Sequence, residues 1–102
     1  MSTNTKLLMR WNVEAETDSE YFEFLVHEFI PGLNKLGVLE IQVWYTQYGE
    51  CEQKLASGIT KNMDDMQKVL NSSEWQRLSD KLNSYVSDFD QKVVSATHGF
   101  QI

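Results

Sequence analysis

The sequence predicts an α+β domain whose elements follow the order β-α-β-β-α-β. Three observations carry this reading. Apolar residues alternate with polar ones at Leu7, Met9, Trp11 and Val13, and again at Leu39, Ile41, Val43 and Tyr45, the period-two pattern of half-buried strands. Apolar residues recur at spacings of three and four between residues 22 and 36 and again between 75 and 86, the pattern of core-facing helices. Gly37, Gly49, Asn62 and Ser73 stand where these patterns change, as caps and turns do.

The first strand spans residues 6–14, with Leu8, Arg10, Asn12 and Glu14 on the face opposite the apolar one. Thr17 or Asp18 caps the first helix, and Glu20 in its first turn suits the helix dipole. Phe22, Leu25, Val26, Phe29, Leu33 and Leu36 form its apolar stripe, with Phe24 projecting to the opposite side. Pro31 disfavours helical geometry at Ile30 and removes a backbone donor, so a kink or break is expected there. Gly37 ends the unit. The second strand, residues 38–48, is rich in β-formers and carries Glu40, Gln42, Trp44 and Thr46 on its polar face. After a turn at residues 49–51 comes a weaker third strand, residues 52–61. Leu55 and Ile59 mark its apolar side, and alternation sets Ala56 and Gly58 on the other. Asn62 caps a short helix bearing Met63, Met66, Val69 and Leu70. Ser73 with Gln76 reads as a capping box for another, whose stripe is Trp75, Leu78, Leu82, Tyr85 and Val86. The last strand spans residues 89–101.

With 102 residues, the chain fits a single domain covering residues 1–102. A chain this short buries only about 60–65% of its unfolded surface, so pairing with a second copy is a natural remedy. Its net charge of −6 and scattered basic residues argue against nucleic acid and anionic membrane as partners. One cysteine, Cys51, excludes an internal disulfide and suits a reducing compartment. No leader-like apolar segment opens the chain, and no apolar run approaches a membrane span. The expected location is therefore cytoplasmic. Two histidines and one cysteine far apart make no zinc spacing, and neither a phosphate-cradling glycine loop nor a nucleophile elbow occurs. No metal and no cofactor is expected, and no motif commits the chain to a reaction.

A right-handed strand–helix–strand crossover leaves a gap between the first two strands, which the hairpin's third strand fills. The second crossover lays the fourth strand beside the first. The expected architecture is a ferredoxin-like βαββαβ sandwich: a four-stranded antiparallel sheet in order 4-1-3-2 with the helices on one face. The other face then carries Arg10, Asn12, Glu40, Gln42, Trp44 and Lys54. An indole among charges of both signs suits a face pressed against a copy of itself, although open solvent would also tolerate it. Arg10, Glu40, Gln42 and Trp44 are the candidate homodimer contacts, with Arg10 placed to pair with Glu40.

Two stretches carry a family likeness: Phe29-Ile30-Pro31-Gly32-Leu33 running through Leu36-Gly37 into the second strand, and Ser72-Ser73-Glu74-Trp75 opening the last helix. Over residues 6–101 the chain resembles the dimeric α+β barrel group of ferredoxin-like proteins, which includes antibiotic-biosynthesis monooxygenases and NIPSNAP-like proteins. The resemblance implies a homodimer whose two sheets close a barrel, and a cleft between each sheet and its helices that can hold apolar ligands. Oxygenase and haem-degrading members use an Asn on an early strand, a Trp on a strand and a His on a helix. Here Asn12 and Trp11 point to opposite faces and His27 lies on the first helix, so that constellation is not carried over.

Met9, Trp11, Phe22, Phe29, Tyr45, Trp75 and Tyr85 converge on the space between sheet and helices. They are either ordinary core or the lining of an apolar cavity. His27, with Glu23 four residues earlier, is a surface residue, a base or a haem ligand; His98, expected on the strand face of Val94, Ala96 and Phe100, has a structural role or, if that face meets the helices, serves as a base at the edge of the cleft. The leading functional expectation is a homodimer binding a small hydrophobic molecule: a fatty-acid-like acyl chain, a polyketide or a quinone. It would act as a cofactor-independent monooxygenase or isomerase with His98 or His27 as base. The competing expectation is a non-catalytic interaction module with a closed core. Haem binding is a third and needs a histidine facing the cleft.

Overall fold

The computed structural model describes the backbone of residues 4–13, 18–48 and 51–96, and the side chains of these except 18, 45–48, 51, 52 and 96. β1 (Asn4–Val13) leads to α1 (Asp18–Phe24), a π-helical turn (Leu25–Phe29) and α2 (Ile30–Leu36). The hairpin β2 (Leu39–Tyr48) and β3 (Cys51–Thr60) follows, then α3 (Met63–Leu70), α4 (Ser73–Asn83) and β4 (Val86–Ala96). The sheet runs β2-β3-β1-β4 with every neighbour antiparallel, the order expected from two right-handed crossovers around a central hairpin.

β1 keeps its alternation. Leu7, Met9, Trp11 and Val13 are buried with Thr5 beneath the helices, while Lys6, Leu8, Arg10 and Asn12 face outward. The core they join includes Leu25, Phe29, Leu33, Met66, Val69, Trp75, Leu78 and Leu82. α2 and α4 approach so closely at Gly32 that a Cβ there would stand 2.7 Å from Leu78 Cδ1.

The first helical run departs from its expected phase. Phe22 is 59% exposed, while Tyr21 and Phe24 are buried. The break expected at Pro31 is instead a widened turn one step upstream, in which the Ile30 N–H donates to the Leu25 carbonyl five residues back. An ordinary α-turn would drive the proline ring against the carbonyl of residue 27; the π turn relieves that clash and absorbs one extra residue. The inward stripe ahead of it is therefore Tyr21, Phe24 and Leu25. α2 then ends as expected. Gly37 is left-handed (φ 104°), its N–H donates to the Asn34 carbonyl, and the Val38 N–H reaches the Leu33 carbonyl, a Schellman closure.

β3 faces the other way from its expected setting. Ala56 pairs with Met9 and Val43, and Gly58 with Leu7, so both lie under the helices. Leu55 pairs with Arg10 and Trp44, and Ile59 with Lys6 and Leu39, on the outer face. Lys54, opposite Trp11, is on the helix side. The reason lies in packing: Val38 fills the space above Gly58, where any Cβ would collide with Val38 Cγ1. The register of β2 shifts between Leu39 and Gln42, with Glu40 left-handed (φ 53°). That bulge turns Leu39 outward, 48% exposed, and buries Val38.

The caps sit close to their expected positions. Asn62 Oδ1 accepts from the Asp65 N–H at 2.8 Å. For α4 the cap is Ser72 rather than Ser73: its Oγ accepts from the Trp75 N–H at 3.1 Å. The helix ends at Asn83, so Tyr85 and Val86 leave the stripe for the link into β4, which begins three residues earlier than expected.

Candidate functional site

An unbroken run of aromatic rings links the middle of the sheet to the surface. Trp11, from the centre of β1, is fully buried. It stacks on Phe89 of β4 at 6.1 Å and meets Tyr21 and Phe29 edge-on at 6.4 and 6.2 Å. Phe29 continues to Trp75 of α4 at 6.2 Å and to Phe24 at 5.9 Å, and Phe24 reaches Tyr85 at 5.6 Å. The indole N–H of Trp11 donates to the Tyr21 hydroxyl at 3.0 Å. Tyr and Trp rings that bring their own hydrogen-bonding groups can occupy an apolar interior without leaving a polar atom unpaired.

The run ends at a shallow depression of about 350 Å³ between α1, the π turn and the start of β4. Phe24 and Tyr85 line it, with Ser19, Glu20, Glu23, His27 and Glu28 around them. Lys81 of α4 sets its ammonium 5.6 Å from the Phe24 ring centroid and 3.3 Å from Glu28 Oε2, while Arg77 reaches Glu28 Oε1 at 3.5 Å. Arg77 is itself held by Glu74 at 2.7 Å. Hydrogen bonding to Arg77 keeps the Glu74 carboxyl below the usual carboxylate value, and the same contact pushes the guanidinium of Arg77 up. The π turn carrying His27 is thus tied to α4 through Glu28.

Of the residues singled out in the sequence, Met9, Trp11, Phe29 and Trp75 are buried together in the core, and Tyr85 is half-buried at its edge. Phe22 is apart from them, on the solvent side of α1. The side chain of Tyr45 and the whole of His98 lie outside the described residues. Val94, on the strand face expected for His98, pairs with Lys6 on the outer side of the sheet. Tyr21, Phe24 and Glu28 join the site without having been anticipated. A spacing of four, Tyr21–Leu25–Phe29–Leu33, is visible in the sequence, but it follows the turn's widened geometry and not a regular helix.

The outer face holds the remaining candidates. Arg10 pairs with Asp90 at 3.3 Å and not with Glu40: β3 lies between the two strands, and Arg10 is level with Leu55 and Trp44, whereas Glu40 follows Leu39, which is level with Ile59 and Lys6. Asn12 Nδ2 donates to Asp88 at 3.0 Å. Trp44 is 46% exposed beside Leu55, and Gln42 is exposed. A groove of about 270 Å³ lies along β1 and β4 here, lined by Leu8, Arg10, Leu55, Asp90 and Lys92. Among the described residues, no three His, Cys, Asp or Glu side chains gather to hold a metal ion, and no helix is long and apolar enough to cross a membrane.

No protein-family model and no curated protein matches the sequence. Solved structures do match its fold. SnoaB, a cofactor-independent oxygenase from Streptomyces nogalater, is 9% identical, covers 95% of this chain and 96% of its own, and superposes with a TM-score of 0.74. A candidate antibiotic biosynthesis monooxygenase from Deinococcus radiodurans is 18% identical over 96% and 97% of the two chains, TM-score 0.75. A NIPSNAP family protein from Agrobacterium tumefaciens is 13% identical over 98% and 91%, TM-score 0.70. The chain shares the ferredoxin-like fold of these proteins.

Proposed function

We propose that this protein is a homodimer, paired through the outer faces of its sheets, that binds a small apolar molecule between sheet and helices. A quinone-like, polyketide-like or acyl compound fits the chemistry of the lining. The observation that carries the reading is the aromatic run from Trp11 through Phe29 and Phe24 to Tyr85, which ends in a depression beside a histidine. Flat aromatic walls favour flat apolar ligands, and imidazole is the commonest general base. The fold shared with a cofactor-independent oxygenase supports a reaction of that class. His27, or His98, takes a proton from an activated CH2 carbon of the substrate; the resulting carbanion reduces dioxygen and forms a C–O bond to it, the proton returns to the outer oxygen to give a hydroperoxide, and loss of water leaves a carbonyl.

Titration of the purified protein with a naphthoquinone tests the binding step. Quenching of tryptophan fluorescence that saturates, and that weakens when Phe24 is replaced by Ala, is the expected result. Native mass spectrometry showing bare protein, together with no saturable quenching by quinone or fatty acid, would remove the binding reading. Should an activity be found, retention of full activity in both His27→Ala and His98→Ala would remove the histidine base.

A specific observation favours the second reading, a closed-core interaction module. Trp11 has no solvent exposure, and its N–H already has an acceptor in Tyr21. The same titration separates the two.

A further inference from the structure

The first helical run carries two apolar stripes, one residue out of step. Tyr21, Phe24 and Leu25 are buried in the structure. Phe22, Leu25 and Val26 are the residues that an unbroken α-helix, phased from Phe29 and Leu33, would turn inward; Phe22 and Val26 are instead 59% and 39% exposed. What separates the two settings is the single residue absorbed by the π turn Leu25–Phe29. Removing that residue from the turn slides the preceding helix by one position. Phe22 then takes the place of Tyr21, Leu25 that of Phe24, and Val26 that of Leu25. Each incoming residue is apolar, so the core remains hydrophobic in either setting.

We propose that α1 and the π turn form a two-register switch, with the π register dominant in the free protein and the α register opening the Trp11 site. The slip has one polar consequence. The hydroxyl that accepts the Trp11 N–H leaves with Tyr21, and Phe22 brings none in its place. The smaller Leu25 replaces Phe24 on the floor of the depression beside Tyr85. In the α register the indole N–H therefore has no acceptor from this helix, and the space freed where Leu25 replaces Phe24 opens from the depression toward it, a setting that selects a flat ligand carrying one oxygen acceptor. Without ligand, the unsatisfied N–H and the proline clash with the carbonyl of residue 27 keep the α register minor, on the order of 0.1–10%. Pairs Glu28–Arg77 and Glu28–Lys81 hold the downstream end of the turn to α4, so the slip is confined to the residues before it.

This inference deepens the binding reading, and its test uses no ligand, so the two fail separately. Relaxation-dispersion NMR on the uniformly labelled full chain reads exchange at the backbone amides of residues 19–29 and at the Trp11 indole N–H. Wild type is expected to show exchange confined to these groups. Pro31→Ala removes the clash and should raise the minor population several-fold, with the Trp11 indole resonance moving toward that of an N–H without an acceptor. Phe22→Glu leaves an exposed site intact in the π register but would bury a charge in the α register, so exchange should vanish while the ground-state spectrum persists. Flat dispersion profiles in wild type and an unmoved Trp11 indole signal in Pro31→Ala would overturn the switch. So would exchange that survives Phe22→Glu unchanged. A merely destabilised Pro31→Ala is distinguishable, because general loosening spreads exchange to β1 and β3 amides and is suppressed neither by Phe22→Glu nor by position.

Discussion

The indole nitrogen of Trp11 donates to the hydroxyl of Tyr21 at 3.0 Å, joining the middle of the sheet to a helix whose phase is set by a π turn. Both side chains are shut away from water. Tyr21→Phe removes the acceptor with little change of volume and leaves a buried N–H without this partner. The expected destabilisation is about 1–3 kcal/mol, read as a lower urea midpoint at constant slope. An unchanged midpoint would mean that the indole finds another acceptor.

Capping of α4 distinguishes two adjacent serines. Ser72 Oγ accepts from the Trp75 N–H at 3.1 Å and its hydroxyl donates to the Val69 carbonyl at 2.7 Å. It therefore serves both the end of α3 and the start of α4. Ser72→Ala should cost about 1 kcal/mol or somewhat more, whereas Ser73→Ala, at the first helical position, should stay within about 0.5 kcal/mol of wild type. Thermal unfolding of the two variants side by side decides it. Equal shifts would return the cap to the pair.

That one-residue displacement shows where the sequence is readable and where it is not. Strand order, the buried face of β1 and the Gly37 terminus all follow from local periodicity and backbone chemistry, and all three stand in the structure. The face of β3 does not, because Leu55 and Ile59 look more core-like than Ala56 and Gly58. Only tertiary packing shows it: Val38 fills the space above Gly58, and Ala56 pairs with the buried Met9. The phase of α1 is likewise hidden, since a 3.6-residue period fits Phe22 and Val26 better than Tyr21 and Phe24. At the site, His27 and Tyr85 are 58 positions apart in the numbering and meet only through tertiary packing. No spacing rule could have joined them.

Arg77 donates to Glu74 at 3.2 and 2.7 Å, and those hydrogen bonds are the largest cause holding the Glu74 carboxyl below its ordinary value of 4.5. A carboxyl whose folded pKa is depressed contributes stability above its unfolded pKa and loses it as pH falls through the lower folded one. The stability difference between wild type and Glu74→Gln should therefore be present at neutral pH and shrink below 4.5. Both partners are exposed, so the difference is small and should also shrink in concentrated salt. Urea unfolding at neutral and strongly acidic pH measures it. A difference that does not change with acid would remove the pairing as its source.

The outer sheet face offers the test of the proposed dimer. The setting of β3 adds apolar surface to this face, because Leu55 and Ile59 join Leu8, Leu39, Val94 and Trp44 there. Leu39–Ile59 and Trp44–Leu55 form cross-strand apolar pairs, and Arg10–Asp90 supplies adjacent charges of both signs, the mixture that a self-complementary two-fold contact can use. Left in water, the Arg10–Asp90 pair contributes about 0–1 kcal/mol, while a covered indole is worth more. Trp44→Glu changes an exposed side chain and should leave the fold intact. It should nonetheless weaken self-association by on the order of 2 kcal/mol, about thirtyfold in the dimer Kd. Sedimentation equilibrium across micromolar concentrations reads this as a shift from two subunits toward one in the variant. A wild-type mass equal to one subunit throughout that range would leave the apolar face without its proposed cover.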